Sequence, residues 1–277
     1  MSTDTDTTTN ADTNTPLPFA GRKAEDVPGH WLLARLGKKV LRPGGRALTE
    51  KLVAAAQPKG SDVVELAPGL GLTARLILDS APRSYTGVEA DEAASAIAAG
   101  AVGERGTVVV GDAKATGLHD GCADMVINEA MLTMNTDRAK GQIIAEVVRI
   151  LRPGGRYAIH ELALMPDDIA EEIATEVRLS LARSIKVNAR PLTIAEWRAL
   201  LEEAGLVVET VETAPMSLLK VRRVIADEGI LGTLKIGVNY LRDAEARKRV
   251  TGMWRTFQKH QKSIIAVAIV AHKPTLS

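Results

Sequence analysis

Between Asp62 and Leu162, short β-branched apolar runs alternate with helix-length segments, and this alternation restricts the fold more than any other feature of the chain. The runs are Asp62 to Leu66, Ser84 to Val88, Thr107 to Val110, Ala123 to Asn128 and Arg156 to Leu162. Glu92 to Ala99 and Ala139 to Leu151 are the clearest helices between them. Strands that alternate with helices build a parallel, doubly wound sheet, because each helix must cross back over the sheet face before the next strand begins.

Helical spacing also appears outside this core. Gly29 to Val40 and Arg46 to Ala56 carry apolar residues three to four apart, on either side of the breaker Pro43-Gly44-Gly45. Asp167 to Lys186 reads as helical, and Thr193 with Glu196 three residues on forms a capping box for a helix ending at Gly205. Leu206 to Val211 and Ser263 to Ala271 read as the last two strands, a hairpin interrupted by about fifty residues of helical periodicity. Residues 1–26, rich in Thr, Asp and Asn, are expected to form a disordered tail, with neither a signal peptide nor a membrane anchor.

Composition limits the partners. With 35 Lys or Arg against 34 Asp or Glu, and aromatic residues at 3%, no basic or stacking surface points to nucleic acid. The single Cys122 leaves no disulfide framework or thiol metal cluster and fits a reducing, cytoplasmic setting. No metal site is expected, since His160-Glu161 has no second His or Cys at ligand spacing.

The chemistry sits at strand ends. After the first strand the chain reads Glu65-Leu66-Ala67-Pro68-Gly69-Leu70-Gly71-Leu72-Thr73-Ala74, where small residues let the backbone approach a nucleotide-like ligand at the start of a helix. Gly69-x-Gly71-x-x-Ala74 also satisfies a dinucleotide fingerprint, so an NAD(P)-dependent oxidoreductase is the alternative. Glu89, with Ala90 after it, ends the second strand where a carboxylate can accept both ribose hydroxyl protons, and Gly111-Asp112-Ala113 ends the third.

Taken together, these motifs resemble the class I S-adenosylmethionine-dependent methyltransferases, in particular small-molecule enzymes of the ubiquinone-biosynthesis type. Glu65 to Gly71 is similar to the family's glycine-rich loop, with Ala67 in place of its first glycine; Glu89 to its ribose carboxylate; Gly111-Asp112-Ala113 to its adenine-side segment. Gly121 to Asn128 and Leu151-Arg152-Pro153-Gly154-Gly155 match its fourth strand and the turn into its fifth. The resemblance implies a Rossmann-like sheet of seven strands, the last antiparallel, within a methyltransferase domain over residues 27–277. That domain comprises an N-terminal helical cap (27–58), a cofactor core (62–163) and helical lid insertions at 164–190 and 212–262. It implies S-adenosyl-L-methionine as cofactor and S-adenosyl-L-homocysteine as product, held by Glu65, Ala67, Gly69, Gly71, Glu89, Ala90, Asp112, Ala113 and Asn128. A fold-conserving, non-catalytic binding module is a further alternative.

Methyl transfer from a sulfonium needs positioning more than acid–base work, so the absence of a triad is expected. Among the strand-end groups Asn128, Glu129, His160 and Glu161, the catalytic candidates are His160, as a base, and Glu129. Met131, Leu132 and Met134 would offer the acceptor an adaptable apolar wall. Residues 217–262 hold eleven Lys or Arg against four Asp or Glu, which suits an anionic acceptor or peripheral contact with a membrane. Within that insertion Leu218, Leu219, Ile230, Leu231, Leu234, Ile236 and Val238 are expected on the buried side. The acceptor is expected to be a small molecule, apolar or anionic, and a homodimer is compatible with the sequence.

Overall fold

The computed structural model describes residues 16–216 and 221–275. Its centre is one mixed sheet in the order β3-β2-β1-β4-β5-β8-β7. The strands are β1 (Asp62–Leu66), β2 (Ser84–Glu89), β3 (Thr107–Val110), β4 (Ala123–Glu129), β5 (Leu151–Leu164), β7 (Val207–Pro215) and β8 (Ile264–His272). Strands β1 to β5 pair in parallel, and β8 runs antiparallel between β5 and β7. An eighth strand, the two-residue β6 (Leu192–Thr193), adds to the end of β5 beyond the expected seven. The Thr193–Glu196 capping box forms as its spacing requires, at the start of α7 (Ile194–Glu203).

Side chains alternate across the sheet, which sorts the core into two layers. On one face Val64, Val126, Tyr157, Ile159 and Ile269 pack against α5 (Asp137–Ile150) and α7. On the other, Val63, Met125, Ile127, Ala158 and Val270 pack against α2 (Arg46–Ala56) and α3 (Leu72–Asp79). The same period of two divides the strand-end polar residues. Asn128 and Glu161 fall on the α5 face, while Glu65, Glu129 and His160 fall on the α2 face.

Beyond α4 (Glu92–Val102), a roof forms from three separate stretches of chain. Helix α1 (Gly29–Arg35) joins α6 (Glu171–Ile185), α8 (Val221–Arg242) and α9 (Ala244–Lys259) above the carboxyl ends of the strands. Val27, Leu32 and Leu36 share one apolar cluster with Ala246 and Met253 of α9. Arg249 ties α9 down by donating to the carbonyls of Ala24 and Val27. Of the stretch expected as a tail, residues 1–15 lie outside the described residues; 16–26 are described, and within them Ala24 is buried against this cluster.

Helix α8 departs from expectation. It breaks at Gly229, whose φ of 73° only glycine adopts cheaply, and the remainder runs over the surface. Ile230, Leu231, Leu234 and Val238, expected to be buried, are exposed, with Leu231 at 84%. The reason is the break itself: beyond it the face bearing Ile236, Asn239 and Tyr240 turns toward the protein, where Asn239 donates to the Leu36 carbonyl. Leu218 and Leu219 lie outside the described residues.

Candidate active site

A cavity of about 460 Å³ opens between the carboxyl ends of β1, β2 and β4 and the helical roof. It is within the range of roughly 300–1,000 Å³ typical of small-molecule sites, and it lies at the crevice where open α/β sheets bind ligands. Its floor is the loop 67–71. Ala67, Gly69 and Gly71 all have positive φ, at 55°, 55° and 69°, so the chain turns sharply under the cavity before α3 begins. The two glycines serve different ends. A Cβ on Gly71 would come within 2.5 Å of the Ala101 Cβ, so this glycine lets α4 pack. Among the described residues a Cβ on Gly69 would meet nothing nearer than the Ala67 carbonyl at 4.0 Å, and Gly69 lines the cavity, so its backbone stays open to that space.

Glu89 ends β2 beside this loop. Its Oε2 accepts from the Gly69 amide at 3.1 Å and its Oε1 from the Ala90 amide at 2.9 Å, which fixes the carboxylate at the cavity edge. Glu65 is wholly buried at the end of β1 and accepts from the Tyr85 hydroxyl at 2.7 Å. Burial, reinforced by the nearby Glu129 and Glu89, pushes its carboxyl up to about 8.

Glu129 is the most heavily bonded of the wall residues. Arg42 Nη1 donates to its Oε2 at 2.7 Å, and the Thr73 hydroxyl makes a short bond to the same oxygen. The Thr49 hydroxyl and His160 Nδ1 meet its Oε1 at 2.5 and 2.8 Å. Burial alone would raise this carboxyl, but the Arg42 guanidinium with the His160 and Thr49 hydrogen bonds outweighs it and holds the group at about 2.

The remaining sequence candidates divide. Glu65, Ala67, Gly69, Glu89, Ala90 and Glu129 line the cavity together. His160 is fully buried behind Glu129, with Nδ1 engaged and Nε2 without a partner among the described residues, so it meets the cavity wall through that carboxylate. Asn128 is buried on the opposite face, where it accepts from the Tyr157 hydroxyl and donates to Glu161. Glu161 also accepts from the amides of Met131, Leu132 and Thr133, pinning the 131–134 turn whose Met131 and Met134 form a cavity wall. Asp112 is exposed and accepts from the Lys114 amide within its own turn, and Ala113 packs into the α5-side core rather than against the cavity. Arg42, Thr73, Lys39, Phe19 and Phe257 line the cavity without having been singled out by sequence. For Arg42 a signal existed: it lies in the hexapeptide LRPGGR at 41–46, which recurs at 151–156. His30 and Trp31 line the cavity from α1, their rings 5.2 Å apart, and burial lowers the His30 imidazole to about 4.

A cofactor for this cavity has to suit its charge. Glu65, Glu89, Asp91 and Glu129 present four carboxyl groups against two cations, Lys39 and Arg42, and Arg42 is already paired. A sulfonium carrying an ammonium fits such a wall, whereas a dinucleotide pyrophosphate would meet carboxylates where it needs donors.

A methyltransferase-domain family model matches residues 64–159. An uncharacterized protein of Haemophilus influenzae is 35% identical over 256 residues, spanning 90% of this chain and all of that protein. The chain belongs to the class I S-adenosylmethionine-dependent methyltransferases. Among solved structures the methyltransferase is similar to the cyclase SpnF, with a TM-score of 0.66 and 18% identity over 94% of this chain and 99% of that one. It is also similar to phosphoethanolamine N-methyltransferase 2 of Haemonchus contortus, solved with S-adenosyl-L-methionine, with a TM-score of 0.64 and 16% identity. That match covers 89% of this chain and 57% of the other. At such identities the likeness shows the fold, and the cofactor of this methyltransferase is S-adenosylmethionine.

Proposed function

We propose that this methyltransferase alkylates a small apolar acceptor that carries an anionic group. The observation that supports this reading is the mixed lining of the cavity. The carboxyls of Glu65 and Glu89 beside Gly69 suit the cofactor, while Met131, Met134, Leu162, Met216 and Phe257 give the same cavity an apolar lining. Lys39 stands at its rim, exposed and with no ion pair among the described residues, where it can meet a carboxylate or phosphate.

When bound, the cofactor supplies a methyl group already activated as an electrophile. Glu89 and the Gly69 backbone orient its sugar, and Glu65 receives its amino group. Glu129, ionised and held by four donors, gives the wall a fixed negative charge and makes a poor base. The roof of α1, α6 and α9 excludes water. Catalysis is then alignment, and the acceptor atom enters with a free lone pair rather than losing a proton to the enzyme.

Methyl transfer to a panel of apolar metabolites, each with and without a carboxylate or phosphate, tests this reading. Anionic members should turn over best, with Lys39→Ala raising their KM and sparing the neutral ones. Turnover confined to peptides or nucleic acid, or indifference to Lys39→Ala, would refute it.

A further inference from the structure

The surface of α8 carries a feature that methyl transfer does not use. Beyond the break at Gly229, residues 230, 231, 234, 238 and 241 fall within an arc of about 100° on a helix of 3.6 residues per turn. All five are large and apolar, and all are exposed, Ile230 at 71%, Leu234 at 61% and Leu241 at 68%. A stripe of this kind on a water-soluble surface marks a contact.

Its charged neighbours narrow the occupant. Lys235 and Arg242 flank one edge of the stripe and are exposed, and no Asp or Glu occurs from 229 to 242. The acids of the same helix are turned inward before the break. Glu228 accepts from the amides of Lys39 and Val40 at 2.9 and 2.8 Å and meets Lys38 Nζ, and Asp227 accepts from the Arg46 amide. Cations outward and acids inward give this part of α8 a purely positive rim. Antiparallel pairing of the stripe with its own copy would set Lys235 and Arg242 against the same two cations, with no acid from 229 to 242 to compensate.

We infer that the stripe of α8 seats the protein on an anionic lipid bilayer surface, with Ile230, Leu231, Leu234, Val238 and Leu241 entering the interface and Lys235 and Arg242 meeting the headgroups. The inner side of α8 rests on the chain 36–46, which carries Lys39 and Arg42 into the cavity wall, so the seated face lies next to the site. The inference is independent of what the acceptor is.

Co-sedimentation of the full chain with vesicles tests it, using neutral phosphatidylcholine alone and the same lipid with about 30% phosphatidylglycerol. The wild type should bind the anionic vesicles, lose binding as salt rises, and ignore the neutral ones. The double variant Leu231→Ser, Leu234→Ser should bind at least about tenfold more weakly, with cofactor affinity unchanged because neither side chain is in the core. Lys235→Ala with Arg242→Ala should weaken binding to anionic vesicles without altering thermal stability. No binding to anionic vesicles, or binding that the double Leu variant does not alter, overturns the inference. If the wild type leaves vesicles alone but is a dimer by light scattering, and the same variant is monomeric, the stripe is a self-association surface instead.

Discussion

Arg42 reaches from the N-terminal cap to donate 2.7 Å to Glu129 at the end of β4, a buried ion pair across 87 residues of sequence. It joins the roof to the sheet at the point where cofactor and acceptor would meet.

Breaking that pair should be costly. Arg42→Met leaves Glu129 buried without its cation, and urea unfolding at pH 7 should show a loss of about 3–5 kcal/mol, as for other broken buried pairs. Since the Glu129 carboxyl is held at about 2, below its ordinary 4.5, the stability it contributes is fully present above pH 4.5 and lost as pH falls toward 2. In the variant the folded carboxyl rises toward its ordinary 4.5, so the acid-dependent loss between pH 4.5 and 2 should shrink; an unchanged acid profile would show that Arg42 does not hold the charge.

Glu65 gives the opposite sign. Its carboxyl is pushed up to about 8, so the folded protein without ligand keeps a proton that the unfolded chain releases from about 4.5 upward. This group therefore lowers stability progressively from pH 4.5 to about 8 and adds no further change above. A cationic cofactor needs Glu65 ionised, so binding should release a proton, with affinity rising by up to about tenfold per pH unit until pH 8. Calorimetry in buffers of different ionisation enthalpy measures the proton directly. Glu65→Gln should abolish both the release and the slope; a wild type with neither would remove Glu65 from the cofactor site.

The two glycines of the loop should separate stability from binding. Gly71→Ala drives a Cβ to 2.5 Å from the Ala101 Cβ at a positive φ, and should cost about 2–5 kcal/mol of stability, overpacking of about 1–3 adding to the roughly 1–2 of the backbone. Gly69→Ala meets no protein atom closer than 4.0 Å and should cost only the roughly 1–2 kcal/mol of a side chain at positive φ, while blocking cofactor binding. Thermal unfolding and calorimetric titration on both variants distinguish them, and equal binding losses would contradict the assignment.

Glu89→Gln keeps the side chain's shape but removes its charge and one acceptor. Cofactor affinity should fall by about ten- to a hundredfold, the range for a hydrogen bond to a charged group, with a modest drop in thermal midpoint because a backbone amide loses its acceptor. NAD should bind neither form. Unaltered affinity for S-adenosylmethionine would mean that the ribose lies elsewhere.

Much of the fold was legible because it rests on local periodicity. The bounds of α2, β1 and β3 match the spacing of their apolar residues, and the capping box at Thr193 needs only the residue three positions on. The sharp turn at 67–71 and the strand-end place of Glu89 were legible because small residues permit positive φ and the apolar run of β2 stops there. Helix α8 was misread because periodicity shows that a helix has an apolar face, not which way that face turns once Gly229 breaks the axis. Asn128 was legible as a strand-end polar group, but the Tyr157 hydroxyl and the Glu161 carboxylate that engage it come from another strand.

The sequence by itself determined most strands and helices, the glycine loop and, through the period of two, that Asn128 and Glu129 point to opposite faces of one strand and His160 and Glu161 to opposite faces of the next. Only the tertiary structure decided what those faces meet. Arg42 and Thr49 converge on Glu129, and α1 and α9 close over the cavity, through contacts between residues 80 or more apart. Such contacts depend on how helices seat on the sheet, and packing of that kind leaves no pattern along the chain.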